Sequence, residues 1–184
     1  MPESLVDVLA GPVLEVAPRL LGARLSHAGV TARITEVEAY DGANDPGSHA
    51  ANGRTPRNQV MFGPAGLLYV YFIYGMHHCA NVVCGPDGVA SAVLFRAGEI
   101  EGMPPGTARG PAKLCAALGL DRSLTGTDLI AGPVRLELGE PVDPHAIAVG
   151  PRVGLRLAAD RPWRFWIDGD PTVSRYVAAK PRRS

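Results

Sequence analysis

The sequence contains few cysteines and no long apolar run. Both features limit the classes of protein to which the chain can belong. Cys79, Cys84 and Cys115 are the three cysteines among 184 residues. An odd, sparse set of thiols favours a reducing compartment over a disulfide framework. No stretch reaches the roughly 18 apolar residues of a membrane span, and residues 1–10 lack the basic start and apolar run of a signal peptide. We therefore expect a cytoplasmic protein without a membrane partner.

Lysine is also scarce, and the formal net charge is zero. Lys113 and Lys180 are the two lysines among 18 basic residues, which 18 acidic residues balance. Schiff-base catalysis needs a placed amine, so this scarcity disfavours it. Residues 1–51 hold seven acidic and three basic side chains, whereas residues 152–184 hold eight basic and three acidic ones. The basic end suits a surface that faces phosphates, although a solvated tail is the simpler interpretation.

The apolar pattern predicts helices at the start of the chain and then a strand that leads into a long loop. Residues 5–21 carry apolar side chains at helical spacings, and Gly11-Pro12 divides them into two short helices. Residues 30–38 alternate between apolar and polar before a loop at residues 41–57 that is rich in Gly, Asn, Asp and Pro. Loops of this length are uncommon in compact domains unless they are functional, so this loop is expected to carry part of a site.

Hairpins dominate the middle of the chain. The β-branched and aromatic run at residues 67–74 and the run at residues 78–84 predict two strands. Residues 74–76 form the tip between them, and a second turn precedes a third strand predicted at residues 89–95.

The rest of the chain adds a helix and shorter strands. Pro111 and Gly119 mark the start and the end of a helix. Short strands are predicted at residues 134–138 and 163–167. Together the elements predict one α+β domain over residues 1–184. Its curved, mostly antiparallel, partly barrel-like sheet is flanked by short helices and carries a protruding β-hairpin.

Carboxylates and aromatic rings cluster around the predicted loop and hairpin. Glu36 and Glu38 share one face of a strand; such a pair is usually solvated, but Glu38 is also a candidate general base where the strand enters the loop. The rings within this region belong to Tyr40, His49, Tyr69, Tyr71 and Tyr74. They predict either a packed sheet surface or a slot in which a planar base stacks. Tyr74 at the hairpin tip has little core to pack against, which favours a contact role.

Two further clusters have both a functional and a simpler interpretation. His77, His78, Cys79 and Cys84 offer zinc ligands, but adjacent histidines on a strand point to opposite faces and the cysteine spacing is wide, so no metal is expected. The loop sequence GRTPRN places Arg54, Thr55 and Arg57 as in a phosphate-contacting turn, although a solvated loop fits as well.

Six ordered motifs resemble one known family of DNA repair enzymes. The motifs are EVEAY, SHAANGRTPRN, MFGPAGLLYVYFIYGMHHCANVV, VLFRAGE, RGPAKLCAALGL and PRVG. Together they resemble the alkyladenine (3-methyladenine, methylpurine) DNA glycosylases, over residues 9–177. The chain departs from that pattern at His77-His78, where human-like members carry an aromatic pair, and in a longer turn after Asn81.

The resemblance implies a role for each matching residue. Glu38 would be catalytic, with Arg96 near the attacking water and the sugar-phosphate. The walls of the base pocket would be Tyr40, His49, Tyr71 and Asn81, of which Asn81 screens purines. The gap left in the duplex would be filled from the hairpin tip by Tyr74 and Met76. The DNA backbone would be contacted by Arg54, Thr55 and Arg57.

The implied function is that of a monofunctional base excision repair glycosylase that needs no cofactor. It would act as a monomer on double-stranded DNA in the cytoplasm, at the nucleoid of a bacterium. There it would flip out alkylated or deaminated purines and hydrolyse their glycosidic bond with a water activated by Glu38. Cationic 3-methyladenine and 7-methylguanine leave without protonation, so one carboxylate can suffice. Neutral hypoxanthine and ethenoadenine would need a proton, whose source the sequence leaves open.

Two other functions compete with this interpretation. A lesion-binding module would have the same pocket without turnover. A zinc-dependent hydrolase would use the cluster from His77 to Cys84. Release of free base distinguishes the first, and metal analysis of the purified chain distinguishes the second.

Overall fold

The computed structural model describes residues 3–181 and contains three α-helices and eight β-strands within them. The helices are α1 (Leu5–Leu9), α2 (Val13–Arg19) and α3 (Pro111–Leu118). The strands are β1 (Arg24–His27), β2 (Val30–Tyr40), β3 (Leu68–Ile73), β4 (His77–Val83), β5 (Ala92–Ile100), β6 (Arg135–Glu137), β7 (Ile147–Gly150) and β8 (Arg164–Ile167). No helix in this part of the chain is both long and apolar enough to cross a membrane.

The strands form one curled antiparallel sheet, a half-barrel, which confirms the predicted α+β class. The strand order is β3-β4-β5-β2-β1-β6, and β8 pairs with β2 and β7. One edge of β2 pairs with β5 along most of its length. The other edge pairs first with β1 at residues 30–33 and then with β8 at residues 36–38. Residues 36–38 therefore lie between two neighbouring strands, in the interior of the sheet.

The helices begin and end where short-range chemistry predicts. A capping box starts α1, because Ser4 and Asp7 each accept a hydrogen bond from the other's backbone N–H. Pro111 opens α3, and Gly119 ends it with a φ of 65°, in the left-handed region that glycine adopts without strain. The buried side of α3 places Leu114 and Leu118 in the main apolar core.

Three strands differ from the sequence prediction. The third hairpin strand runs over Ala92–Ile100 rather than residues 89–95, because it continues through Arg96 and Gly98. Arg96 is buried in ion pairs. At Gly98 a Cβ would lie 3.0 Å from the backbone oxygen of Arg33, so this close approach of the strands favours glycine. The short strands β1 and β7 were not predicted, because β1 contains one apolar residue, Leu25, and β7 shows no alternation of apolar and polar residues.

A buried ion pair fastens the long loop to the end of β2. Both Nη atoms of Arg152 donate to the carboxylate of Asp45, at 2.5 and 2.7 Å, and neither side chain is exposed. Arg152 also donates to the carbonyl of Ala39, and its guanidinium stacks on the rings of Tyr40 and Trp163. Burial alone would raise the pKa of Asp45, but the hydrogen bonds and charge of Arg152 lower it below the usual value.

This pair and a second one change the interpretation of the basic C-terminal end. Arg152 and Arg164 are both buried and paired with carboxylates, so neither belongs to a solvated tail or a phosphate-facing surface. Arg182 and Arg183, which were counted with them, lie outside the described residues.

We predict that Asp45→Asn lowers the free energy of unfolding by about 3 to 5 kcal/mol, because it leaves the charge of Arg152 buried without a partner. Urea unfolding followed by circular dichroism measures the change. The control is Glu3→Gln, which breaks the exposed pair with Arg19 and should leave the midpoint nearly unchanged. Equal stability of Asp45→Asn and the wild-type protein would contradict the anchoring role.

Candidate active site

Strand register brings the predicted site residues onto one face of the sheet. Tyr69 pairs with Asn81, Asn81 with Leu94, and Leu94 with Glu38, so these four residues form a row across four strands. Because side chains alternate between faces, residues two positions along each strand share the face of this row. The face opens into a cavity of about 330 Å³. Its lining includes seven of the predicted site residues, Glu38, Tyr40, His49, Tyr71, Tyr74, Asn81 and Arg96.

A β-bulge directs Arg96 into this cavity. Glu36 pairs with Ala97 and Val37 pairs with Phe95, so Arg96 is an extra residue on β5 with no partner opposite. Bulges change the direction of a side chain and are common beside active sites. Here the bulge sets the guanidinium of Arg96 between the carboxylates of Glu36 and Glu38.

Glu38 is fully buried and held from three sides, so the solvated alternative is wrong. The hydroxyl of Tyr40 donates to Oε2 at 2.7 Å, and the backbone N–H of Val153 donates to Oε1 at 2.7 Å. Arg96 places Nη1 3.5 Å from Oε1. The lone pairs of the two carboxylate oxygens leave capacity for a further hydrogen bond beside the cavity.

Glu36 is also fully buried, but it does not line the cavity. Its Oε1 accepts from Nε of Arg96 at 3.1 Å and from Nη1 of Arg164 at 3.2 Å. The two carboxylates predicted to share a strand face therefore have different surroundings. Glu38 contacts the cavity, and Glu36 lies among arginines behind it.

Aromatic rings make the walls of the cavity. His49 and Tyr71 meet edge to face with ring centroids 4.5 Å apart, and Tyr69 and Tyr71 lie 5.6 Å apart. Tyr69 lines the cavity and is a site residue that the motif assignment missed, although its position two residues before Tyr71 indicated a shared face. Burial, with the neighbouring Glu38 carboxylate, raises the pKa of Tyr40 well above its usual value, and burial does the same for Tyr71. Both phenols therefore stay neutral at physiological pH.

Asn81 bonds to a neighbouring strand and also lines the cavity. Its Nδ2 donates to the backbone oxygen of Tyr69 at 3.0 Å, which ties β4 to β3. Its side chain also lines the cavity, and within residues 3–181 no hydrogen bond reaches its Oδ1. The amide oxygen is therefore available to a group inside the cavity.

The hairpin tip projects beside the cavity. Tyr74 is 86% exposed and has a φ of 53°, which a non-glycine residue adopts only where a tight turn requires it. Met76 is 67% exposed, but it borders a separate depression together with His77 and His78. His78 rests on the ring of Phe72, with centroids 4.7 Å apart, so it packs on this ring as an aromatic side chain would.

The loop with the predicted phosphate contacts is built as a tight turn. The backbone N–H of Thr55 donates to Oδ1 of Asn58, and the N–H of Asn58 donates to Oγ1 of Thr55. The guanidinium of Arg57 lies over the ring of Tyr71, and that of Arg54 lies over the ring of Phe62. All three predicted residues are exposed beside the cavity wall, and their contact with DNA remains a prediction.

The alternative zinc site gains no support from the geometry. His77 lies exposed near the hairpin tip, whereas Cys84 is buried just beyond the far end of β4. Within residues 3–181, no group of three or more His, Cys, Asp or Glu side chains is arranged to hold a metal ion. The three cysteines are free and buried; burial raises the pKa of Cys84 to about 11 and that of Cys115 to about 12.

Comparison with known proteins identifies relatives along nearly the whole chain. The sequence profile of the methylpurine-DNA glycosylase family (MPG) matches residues 7–171. A protein of Streptomyces avermitilis, provisionally named a 3-methyladenine DNA glycosylase, is 54% identical; the alignment covers 96% of this chain and 93% of that protein. Two further proteins of the same provisional name are similar to this chain. The one from Nocardia farcinica is 51% identical over 87% of this chain and 85% of its own length. The one from Mycobacterium tuberculosis is 48% identical over 92% of each.

We predict that the pKa of His49 lies below its usual value of about 6.5, because the ring is buried and faces the charge of Arg57. The pH dependence of the His49 ring signals in NMR spectra measures it. Arg57→Gln should raise this pKa part of the way back, since burial remains when the charge is removed. A His49 pKa at or above the usual value in the wild-type protein would contradict the prediction.

Proposed function

Because this chain belongs to the methylpurine-DNA glycosylase family, we propose that it excises alkylated and deaminated purines from duplex DNA with a water activated by Glu38. The observation that carries this proposal is a buried carboxylate at the wall of an aromatic cavity, with an arginine 3.5 Å away and an exposed tyrosine at the rim. Such a cavity is too enclosed for a base that remains stacked in a helix. The target nucleotide must therefore be extruded before reaction.

Extrusion and capture use different parts of the site. Tyr74, which is exposed on the projecting tip, would fill the stack that the flipped nucleotide leaves, together with Met76. His49, Tyr69 and Tyr71 can enclose the base, and stacking on such rings is worth about 1 to 3 kcal/mol per base. A cationic purine gains further from electron-rich ring faces, and the neutral His49 adds no opposing charge.

The proposed chemical step needs a general base that activates water. It needs no nucleophile from the protein. Glu38 would take a proton from water while the cationic 3-methyladenine or 7-methylguanine leaves without protonation. Arg96, beside the same carboxylate, would stabilise the negative charge of the activated water and of the nearby sugar-phosphate. Neither Lys113 nor Lys180 lines the cavity, so we propose a monofunctional hydrolase that forms no Schiff base. Neutral hypoxanthine and ethenoadenine are proposed as slower substrates.

All of the proposed site residues belong to one chain, so a monomer is sufficient for this reaction. The three relatives compared above come from bacteria. We propose that the protein acts on bacterial chromosomal DNA in the cytoplasm.

We predict that Glu38→Gln abolishes release of 7-methylguanine from duplex DNA while lesion binding stays within about tenfold of wild type, because only the chemical step loses its base. Chromatography of free base measures release, and a gel-shift titration measures binding. The control is Glu99→Gln, an exposed glutamate on β5, which should keep wild-type activity. Near-normal turnover by Glu38→Gln would exclude the proposed role, and absence of release by wild type would favour the lesion-binding module.

We predict that Asn81→Ser gains release of normal guanine and keeps release of hypoxanthine. The two bases differ by an exocyclic amino group, and a shorter side chain would admit it; mismatches of this kind are worth about 1 to 3 kcal/mol of discrimination. Base release from duplexes containing guanine or hypoxanthine measures the effect. Loss of both activities together with a lower melting temperature would show instead that the bond to Tyr69 is the main role of Asn81.

A further inference from the structure

The segment at residues 172–177 lies beyond the family match, which ends at residue 171. It forms neither helix nor strand, yet hydrogen bonds fix it against the sheet. The hydroxyl of buried Thr172 lies 2.7 Å from that of Thr35 on β2. At the other end, the backbone oxygen of Val177 accepts from the N–H of Gly154 at 2.9 Å. The segment is therefore held at both ends by residues near Glu36 and Glu38.

Ser174, in the middle of this segment, contacts both partners of the buried ion pair. Its backbone N–H donates to Oε2 of Glu36 at 2.8 Å, and its hydroxyl donates to Oε1 at 2.9 Å. The same hydroxyl oxygen lies 3.4 Å from Nη2 of Arg96, which donates to it. Ser174 thus connects the carboxylate of β2 to the guanidinium of β5.

The guanidinium of Arg96 is consequently held by each of its three nitrogens. Nε donates to Glu36, Nη2 donates to Ser174, and Nη1 lies 3.5 Å from Oε1 of Glu38. A guanidinium is planar, so two fixed nitrogens determine the direction of the third. The contacts of Glu36 and Ser174 therefore set where Nη1 points beside Glu38.

The same segment supports the second donor to Glu38. The backbone N–H of Val153 donates to Oε1 of Glu38, and the next residue, Gly154, is the one bonded to Val177. Arg96 approaches this carboxylate oxygen from β5, and Val153 approaches it from the loop after β7. Both approaches are thus constrained by residues 172–177.

We propose that residues 172–177 are a positioning element of the active site, and that Ser174, together with Glu36, orients Arg96 toward Glu38 and its water. This inference rests on the proposed glycosylase function. Ser174 touches neither the cavity nor a reacting atom, so it acts through Arg96 and is a positioning residue. Small errors in the placement of catalytic groups reduce rates strongly, which makes such a contact functionally relevant.

The test compares Ser174→Ala with Ser26→Ala in single-turnover excision of 7-methylguanine. Ser174→Ala should lower the rate constant roughly tenfold and leave lesion binding unchanged, because the misplaced group acts on the chemical step. Ser174→Thr, which keeps the hydroxyl, should restore the rate. Ser26→Ala removes a hydroxyl that bonds to Thr31 on the neighbouring strand, without touching Arg96 or residues 172–177, and should keep the wild-type rate. In an Arg96→Gln background, Ser174→Ala should cause no further loss.

Two results of the activity test would overturn the positioning role: a wild-type rate for Ser174→Ala, or equal rate losses in Ser174→Ala and Ser26→Ala. The NMR shift of the Arg96 Nε–Hε group provides a readout that needs no activity, and Ser174→Ala should change it. If the wild-type chain releases no base, the glycosylase function fails. The NMR signal then tests the positioning role by itself, and an unchanged signal in Ser174→Ala would overturn it.

Discussion

The pairing of charges buried inside the sheet is the constraint on which the site depends. Glu36 and Glu38 have no exposure, and the side chains of Arg96 and Arg164 are 9% and 6% exposed. An unpaired charge at such positions would be strongly destabilising, so each carboxylate needs cationic partners and hydrogen-bond donors. The bulge on β5 and the pairing of β8 with β2 supply them. The strand pairings around β2 are therefore what allow Glu36 and Glu38 to be buried.

Burial also strengthens the electrostatic interactions of the Glu38 carboxylate. In surroundings from which water is largely excluded, the attraction between Glu38 and Arg96 is stronger than at a surface, and hydrogen bonds from Tyr40 and Val153 fix the carboxylate orientation. A carboxylate placed in advance needs little reorganisation when charge develops nearby. The second carboxylate, Glu36, balances the charge of the arginines without entering the cavity. The arrangement separates a structural acid from one that faces the cavity.

The proposed recognition and chemistry would use elements that differ in exposure and strand pairing. The cavity walls come from paired strands in the interior of the sheet, whereas Tyr74 lies on an exposed turn. A rigid cavity suits discrimination between similar bases, and a projecting tip suits contact with a duplex that must bend or open. The buried pair of Asp45 and Arg152 joins the loop that carries His49 to the end of the strand that carries Glu38. One packed unit therefore holds the proposed binding and chemical residues together.

The sequence by itself determined the local elements and, through its motifs, the family. Gly110-Pro111 and Gly119 bound a helix because backbone geometry at such residues is set locally, and the aromatic run before Tyr74 indicated the hairpin. Only the tertiary structure decided that Glu36 and Glu38 are buried, that Tyr69 joins the cavity and that Ser174 reaches Arg96. Those facts depend on which strands become neighbours and in which register, and on contacts between residues up to 138 positions apart in the chain. No local pattern encodes such contacts, because their free energy is gained only when the sheet closes around buried charge.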